Sequence, residues 1–189
     1  MRRAGFVLAG GASSRMGRNK ALLKLGSRTL LEITASAVCE AAGNATIVGP
    51  PDAYPSLGFP VIPDRQPHLG PLAGIETALF ETTAGWNLIV ACDMPGLTPP
   101  VLRRILDEAD AQPDAGCILP VGGNGFVEPL CAAYHKRMLP VISQALASGI
   151  RKVTEALPPE SVHYLPALED RAFQNVNTPD EWRRLIESR

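Results

Sequence analysis

Gly10 to Lys20 is the stretch best equipped to do chemistry. In eleven residues it holds Gly10, Gly11 and Gly17, the hydroxyls of Ser13 and Ser14, and the cations Arg15, Arg18 and Lys20. Glycines let backbone N–H groups point at an anion with no Cβ in the way. A guanidinium adds paired donors in a rigid fork, and an ammonium adds a compact charge. Phosphate is the ligand such a loop suits. A plain surface loop rich in glycine and serine has the same composition, so these residues alone leave both readings open. The two common phosphate motifs do not fit. No glycine directly precedes Lys20 and no Ser or Thr follows it, against G-x-x-x-x-G-K-[ST]; Gly10-Gly11 followed by Gly17 fails G-x-G-x-x-G.

Asp93 is the second candidate. It follows the apolar run Asn87-Leu88-Ile89-Val90-Ala91, the pattern of a central parallel strand covered on both faces, by way of Cys92. A carboxylate in that place is either a turn residue or a metal ligand at the carboxyl edge of a sheet, and Mg²⁺ takes one or two carboxylates together with phosphate oxygens. Asp64, after Ile62-Pro63, fits a turn. Glu128-Pro129 fits the start or end of an edge strand. Arg151 and Lys152 follow a helix end, where they favour the dipole or meet an anion. Asn175 and Asn177 alternate before Thr178-Pro179 and so share one side of an extended segment. His68, His135 and His163 are scattered singly. Cys39, Cys92, Cys117 and Cys131 have no C-x-x-C spacing, which points to free thiols with neither disulfides nor zinc.

The elements that must hold these residues alternate between strand and helix, which predicts an α/β fold. Strands are expected at about Gly5–Leu8, Ala45–Val48, Phe59–Ile62 and Asn87–Ala91. A helix bearing Leu30, Leu31, Thr34, Ala37, Val38 and Ala41 on one face is expected to end at Gly43-Asn44. A second starts at Gly70-Pro71, with Leu72, Ile75 and Leu79 as its buried stripe. A third is capped by Thr98 and turns Val101, Leu102, Ile105, Leu106 and Ala109 inward. Beyond it, Cys117–Val121 and Val127–Tyr134 read as two strands that pair in a hairpin. Leu139, Ile142 and Leu146 mark a helix closed by Gly149. Val162–Leu165 reads as a short strand, and Thr178-Pro179 opens a last helix with Trp182, Leu185 and Ile186.

The bulk properties bound the rest. The 189 residues suit one domain with a full core, regular in its pattern to about residue 97 and less regular from 98. A 46% hydrophobic and 20% charged composition is that of a soluble globular protein. No apolar run reaches the roughly 20 residues of a membrane span, and Gly10-Gly11 and Arg15 interrupt the N-terminal apolar run too early for a signal peptide. The expected location is the cytoplasm. A net charge of −1 provides no general attraction to nucleic acid or membrane, so phosphate must be held by local cations.

Leu8-Ala9-Gly10-Gly11-x-Ser13-Ser14-Arg15-Met16-Gly17-x-x-Lys20 resembles, without a gap, the signature of nucleotidyltransferases that activate a phosphate-bearing acceptor with an NTP. Gly70-Pro71-Leu72-Ala73-Gly74-Ile75, Ala91-Cys92-Asp93-Met94-Pro95 and Phe173-Gln174-Asn175-Val176-Asn177-Thr178-Pro179 follow in the order and approximate spacing of the molybdenum cofactor guanylyltransferases, the MobA-like family. The chain departs from that pattern at Gly49-Pro50-Pro51, where related guanylyltransferases often carry a polar residue. The resemblance implies a Rossmann-like three-layer fold with a mostly parallel central sheet. It further implies GTP as substrate, Mg²⁺ as cofactor, and molybdopterin or the molybdenum cofactor as acceptor, with transient contacts to proteins that deliver and take up the cofactor. It assigns Arg15, Lys20 and Asp93 to catalysis and Asp93 to the metal. Leu8, Ala9, Gly10, Gly11, Gly17, Lys20, Asp64, Gly70 and Asp93 fall to the nucleotide, and Glu128, Arg151, Asn175 and Asn177 to the acceptor. A cytidylyltransferase on the same fold is the nearest rival; Ala9-Gly10-Gly11 and Gly70-Pro71-Leu72-Ala73-Gly74 lean toward guanine. A nucleotide-binding regulatory protein without turnover would not need the set of Arg15, Lys20 and Asp93.

Overall fold

The computed structural model describes residues 2–10, 19–54, 57–123, 125–168, 173 and 181–183. Along the chain run β1 (Arg3–Leu8), the small hairpin of β2 (Lys24–Leu25) and β3 (Arg28–Thr29), α1 (Leu30–Ala42), β4 (Thr46–Val48), β5 (Val61–Ile62), α2 (Pro71–Glu81), β6 (Trp86–Ala91), α3 (Pro99–Ala111), β7 (Cys117–Gly122), β8 (Cys131–His135), α4 (Leu139–Ala147), α5 (Val153–Ala156) and β9 (Val162–Leu168). Among the described residues seven strands make one sheet in the order β5-β4-β1-β6-β8-β7-β9. Within it β5, β4, β1 and β6 run parallel, β8 is antiparallel to both its neighbours, and β9 is parallel to β7.

Alternation along the strands sorts side chains into two cores, one on each face. Val7, Ile47, Leu88 and Val90 pack with Leu31 and Val38 of α1 and Leu102, Ile105 and Leu106 of α3. Phe6, Val48 and Ile89 pack on the other face with Leu72, Ile75 and Leu79 of α2 and Ile142 and Leu146 of α4. All six residues of β6 are buried, as their apolar run requires. The start of α1 is fixed by a capping box: the Thr29 hydroxyl accepts from Glu32 N, and the Glu32 carboxylate accepts from Thr29 N.

Some expectations change in detail. Thr98 stands at the N-cap of α3 but makes no side-chain cap bond. The hairpin exists, but β8 starts at Cys131 instead of Val127, because Pro129 has no N–H to give a ladder and Pro129-Leu130 turn. Cys117 and Ile118 pair with Tyr134 and Ala133, and beyond that short ladder the isolated bridge Val121 to Val127 continues the expected pairing. β5 loses its first two expected residues, since Pro60 brings to the ladder only the carbonyl that accepts from Ile47 N. β9 is longer than expected and reaches Leu168. All four cysteines are free; Cys117 and Cys131 are buried, Cys39 and Cys92 half-buried. Residues 181–183 are helical, while Leu185 and Ile186 lie outside the described residues.

Gly5 sets how closely α1 approaches the sheet. Its N–H donates to Asn44 Oδ1 at 3.0 Å, and a Cβ there would collide with Val38 Cγ1 and lie 2.5 Å from Asn44 O. Gly5→Ala is expected to cost about 1–3 kcal/mol by overpacking, read as a lower midpoint in urea unfolding. A wild-type midpoint would show that α1 can withdraw freely.

Candidate active site

The first two segments of the site emerge side by side because their strands do. Leu8 is in register with Ala91, and Cys92 N donates to Leu8 O at 3.2 Å. Ala9-Gly10 and Cys92-Asp93 therefore leave adjacent parallel strands at the carboxyl edge, where open α/β sheets place their ligands. Next to them, Ala9 N donates to Val48 O at 2.9 Å and Gly49 N to Ile62 O at 2.9 Å, so the ends of β4 and β5 continue the same rim.

A cavity of about 260 Å³ opens over this edge. Of the residues expected at the nucleotide, Leu8, Ala9, Gly10, Lys20, Asp64, Gly70 and Asp93 line it. Asn19, Ala21, Val48, Pro71, Gly74, Ala91, Cys92 and Leu130 complete the wall. Gly11, Arg15, Gly17, Asn175 and Asn177 lie outside the described residues.

Asp93 is the charged centre of the cavity. Its Oδ1 is buried and has no hydrogen-bond partner. Burial pushes its carboxyl above the usual carboxylate range, and the Lys20 ammonium pulls it part of the way back. A buried carboxylate oxygen left without a partner is costly, and a cation is what would relieve it. Among the described residues no group of three His, Cys, Asp or Glu could hold a metal ion. One carboxylate open to a phosphate-sized cavity fits a hard cation such as Mg²⁺, which completes its shell with phosphate oxygens and water. It does not fit a closed zinc site.

Lys20 opens a short 3₁₀ turn, Lys20–Leu22, whose N-cap is Asn19: the Asn19 Oδ1 accepts from Ala21 N at 3.1 Å. Asp64 is held by the helix behind it. Its Oδ1 accepts from Thr77 Oγ1 at 3.1 Å and from Gln66 N at 3.0 Å, while Thr77 Oγ1 accepts from Arg65 N. The neighbouring Glu76, itself buried, accepts from Gln66 Nε2 and from Ser143 Oγ of α4. Gly74, on the same helix, lets α2 close on β1: a Cβ there would lie 3.0 Å from Leu8 Cδ2.

The acceptor candidates are placed less uniformly. Burial first, and then the charge of Asp93, push the Glu128 carboxyl up, which puts Glu128 within electrostatic reach of the site. The Arg151 guanidinium donates to Leu146 O and Ile150 O at the end of α4, and Arg151 does not line the cavity. Cys92 lies in the wall, but burial and the adjacent Asp93 push its thiol up to about 12, so it is no nucleophile near neutral pH. The sequence offered no signal for Tyr54 or Thr77. Asn19 was legible as an N-cap before Lys20-Ala21-Leu22.

The model of the MobA-like NTP transferase domain matches residues 5–162. A probable molybdenum cofactor guanylyltransferase of Carboxydothermus hydrogenoformans is 37% identical over 187 residues, covering 95% of this chain and 93% of its own. The crystal structure of molybdopterin-guanine dinucleotide biosynthesis protein A from Archaeoglobus fulgidus superposes with a TM-score of 0.80 at 26% identity, over 98% of this chain and 97% of that one. A Mycobacterium tuberculosis protein solved as a manganese complex gives a TM-score of 0.70 at 21% identity with both chains fully covered, a likeness of fold.

Since burial outweighs Lys20 at Asp93, Asp93→Asn should relieve more than it loses when no metal is bound. Calorimetry in chelator is expected to give a melting temperature higher by about 2–4 °C. A lower one would mean that the attraction to Lys20 dominates.

Proposed function

The chain belongs to the MobA-like NTP transferase family, and from that membership we propose that it transfers GMP from GTP to the terminal phosphate of molybdopterin. The product is the guanine dinucleotide form of the cofactor, and pyrophosphate is released. The observation that carries this proposal is the partnerless Asp93 oxygen in a cavity also lined by Lys20, Ala9 and Gly10. A carboxylate and a cation around one cavity suit a magnesium nucleotide better than a neutral ligand.

An oxygen of the acceptor phosphate attacks the α-phosphorus in line; the bond from that phosphorus to the bridging oxygen breaks, and the electron pair leaves with pyrophosphate. Lys20 and the backbone around Gly10 hold the β- and γ-phosphates, together with Gly11, Arg15 and Gly17, which are assigned on the sequence alone. Asp93 would hold Mg²⁺, which when bound neutralises charge on the phosphates. Asp64 and Gly70 face the nucleoside. An acceptor phosphate is already anionic near neutral pH, so no general base is required, and positioning carries the rate. Glu128, Arg151, Asn175 and Asn177 remain assigned to the acceptor side. Molybdopterin exchange with delivery and acceptor proteins, and a cytoplasmic location, accompany the proposal.

The test is pyrophosphate release by the purified protein with Mg²⁺, molybdopterin and GTP, CTP or ATP in turn. Turnover with GTP is expected. Preference for CTP would make the chain a cytidylyltransferase, and no release with any of the three would leave a nucleotide binder. Asp93→Ala, Lys20→Ala and Arg15→Ala, checked for folding by circular dichroism, should each lose on the order of 10²-fold or more in rate.

A further inference from the structure

Tyr54 stands in the loop after β4, where neither spacing nor motif gives it a role. It is buried, with 3% of its surface exposed. Its hydroxyl donates to Ala9 O at 2.7 Å and accepts from Asn19 Nδ2 at 3.1 Å. The other end of the same amide, Asn19 Oδ1, accepts from Ala21 N and caps the turn that begins at Lys20. One phenol thus links the backbone at the end of β1 to the residue directly before Lys20.

We propose that Tyr54 is a positioning residue for the transfer reaction: through Asn19 its hydroxyl fixes Lys20 relative to the carboxyl edge of the sheet, and so relative to Asp93. The inference rests on the assignment of Lys20 as a phosphate-holding cation. The ring supports it by being seated: a Cβ at Gly49 would lie 3.1 Å from Tyr54 Cε2, so the phenol rests on the β4 rim with little room to tilt. Burial pushes the hydroxyl's pKa up, in the direction that favours the protonated phenol donating to Ala9 O. A lysine has a long flexible stem, and its ammonium can be aimed only as well as its backbone is held. Two roles compete with this one. Asn19 could serve only as a cap, and Tyr54 only as a filler of the core.

Tyr54→Phe keeps the ring and removes the link. Asn19→Ser keeps a good N-cap acceptor but is too short to reach Tyr54. Each is expected to lower kcat by about tenfold, with the nucleotide KM changing less, as loss of one positioning bond implies. The double variant is expected to be no worse than the weaker single one, because both cut the same connection. Ile142→Val, in the α2–α4 core, serves as a stability control and should lower the melting temperature with kcat unchanged. Amide hydrogen exchange on the nucleotide-free protein should show faster exchange at Ala21 in Tyr54→Phe. The exchange measurement does not depend on the substrate, so it tests the tether even if the wild-type chain releases no pyrophosphate. Wild-type kcat and Ala21 exchange in Tyr54→Phe would overturn the proposal, as would losses that multiply in the double variant.

Discussion

The Asp93 carboxylate imposes the constraint on which the site depends. It is pushed toward protonation by burial, is only partly compensated by Lys20, and leaves one oxygen without a partner. A fold tolerates such a group only if the rest of the structure over-determines its position. That is the case here. β6 is buried from end to end and flanked by β1 and β8, which fixes where the turn at Cys92-Asp93 leaves the sheet. The unfavourable charge is thereby stored where a cation could relieve it.

The scaffold around this charge is divided between the sheet and α2. The sheet supplies adjacency: parallel strands bring Ala9-Gly10 and the turn at Cys92-Asp93 to one edge, and Gly5 lets α1 press close enough to hold β1 in line. Helix α2 supplies the opposite wall. Gly74 and Thr77 are one turn apart and so share a face. The first admits Leu8, and the second grips Asp64. Glu76 points elsewhere, to Ser143, and ties α2 to α4. A single helix therefore sets the cavity's width, the orientation of one carboxylate, and its own anchorage to its neighbour α4.

Periodicity made most of the fold legible. The buried run before Asp93, the stripes of α1, α2 and α3, and the alternation of strand and helix are local patterns, and each corresponds to an element. Boundaries were less legible where proline acted on a ladder, at Pro60 and Pro129, because whether a missing N–H matters depends on which neighbour it would have faced. Lys20 and Asp93 could be picked out by type and place, Asp64 and Gly70 only by the family resemblance, and all four line one cavity. Their supports could not. Thr77 reaches Asp64 across 13 positions, Glu76 reaches Ser143 across 67, and Tyr54 reaches Ala9 across 45. Such pairings follow from tertiary contact alone, and a single sequence carries no period or spacing that reveals them.

The supports matter more here than reactive groups do. The cavity wall contains a thiol, but burial holds it in the unreactive form. Among the described residues, none of the three histidines lines the cavity. What remains is a cation and a carboxylate, neither of which need form or break a covalent bond during the proposed transfer. Chemistry of that kind depends on distance and alignment, which deteriorate by degrees when a neighbour shifts. The consequence is that selection on such a site would act as strongly on hydrogen bonds one layer out as on the residues that meet the ligand. A tyrosine spent on one carbonyl and one amide, and a threonine spent on one carboxylate, are what a site without a nucleophile of its own needs.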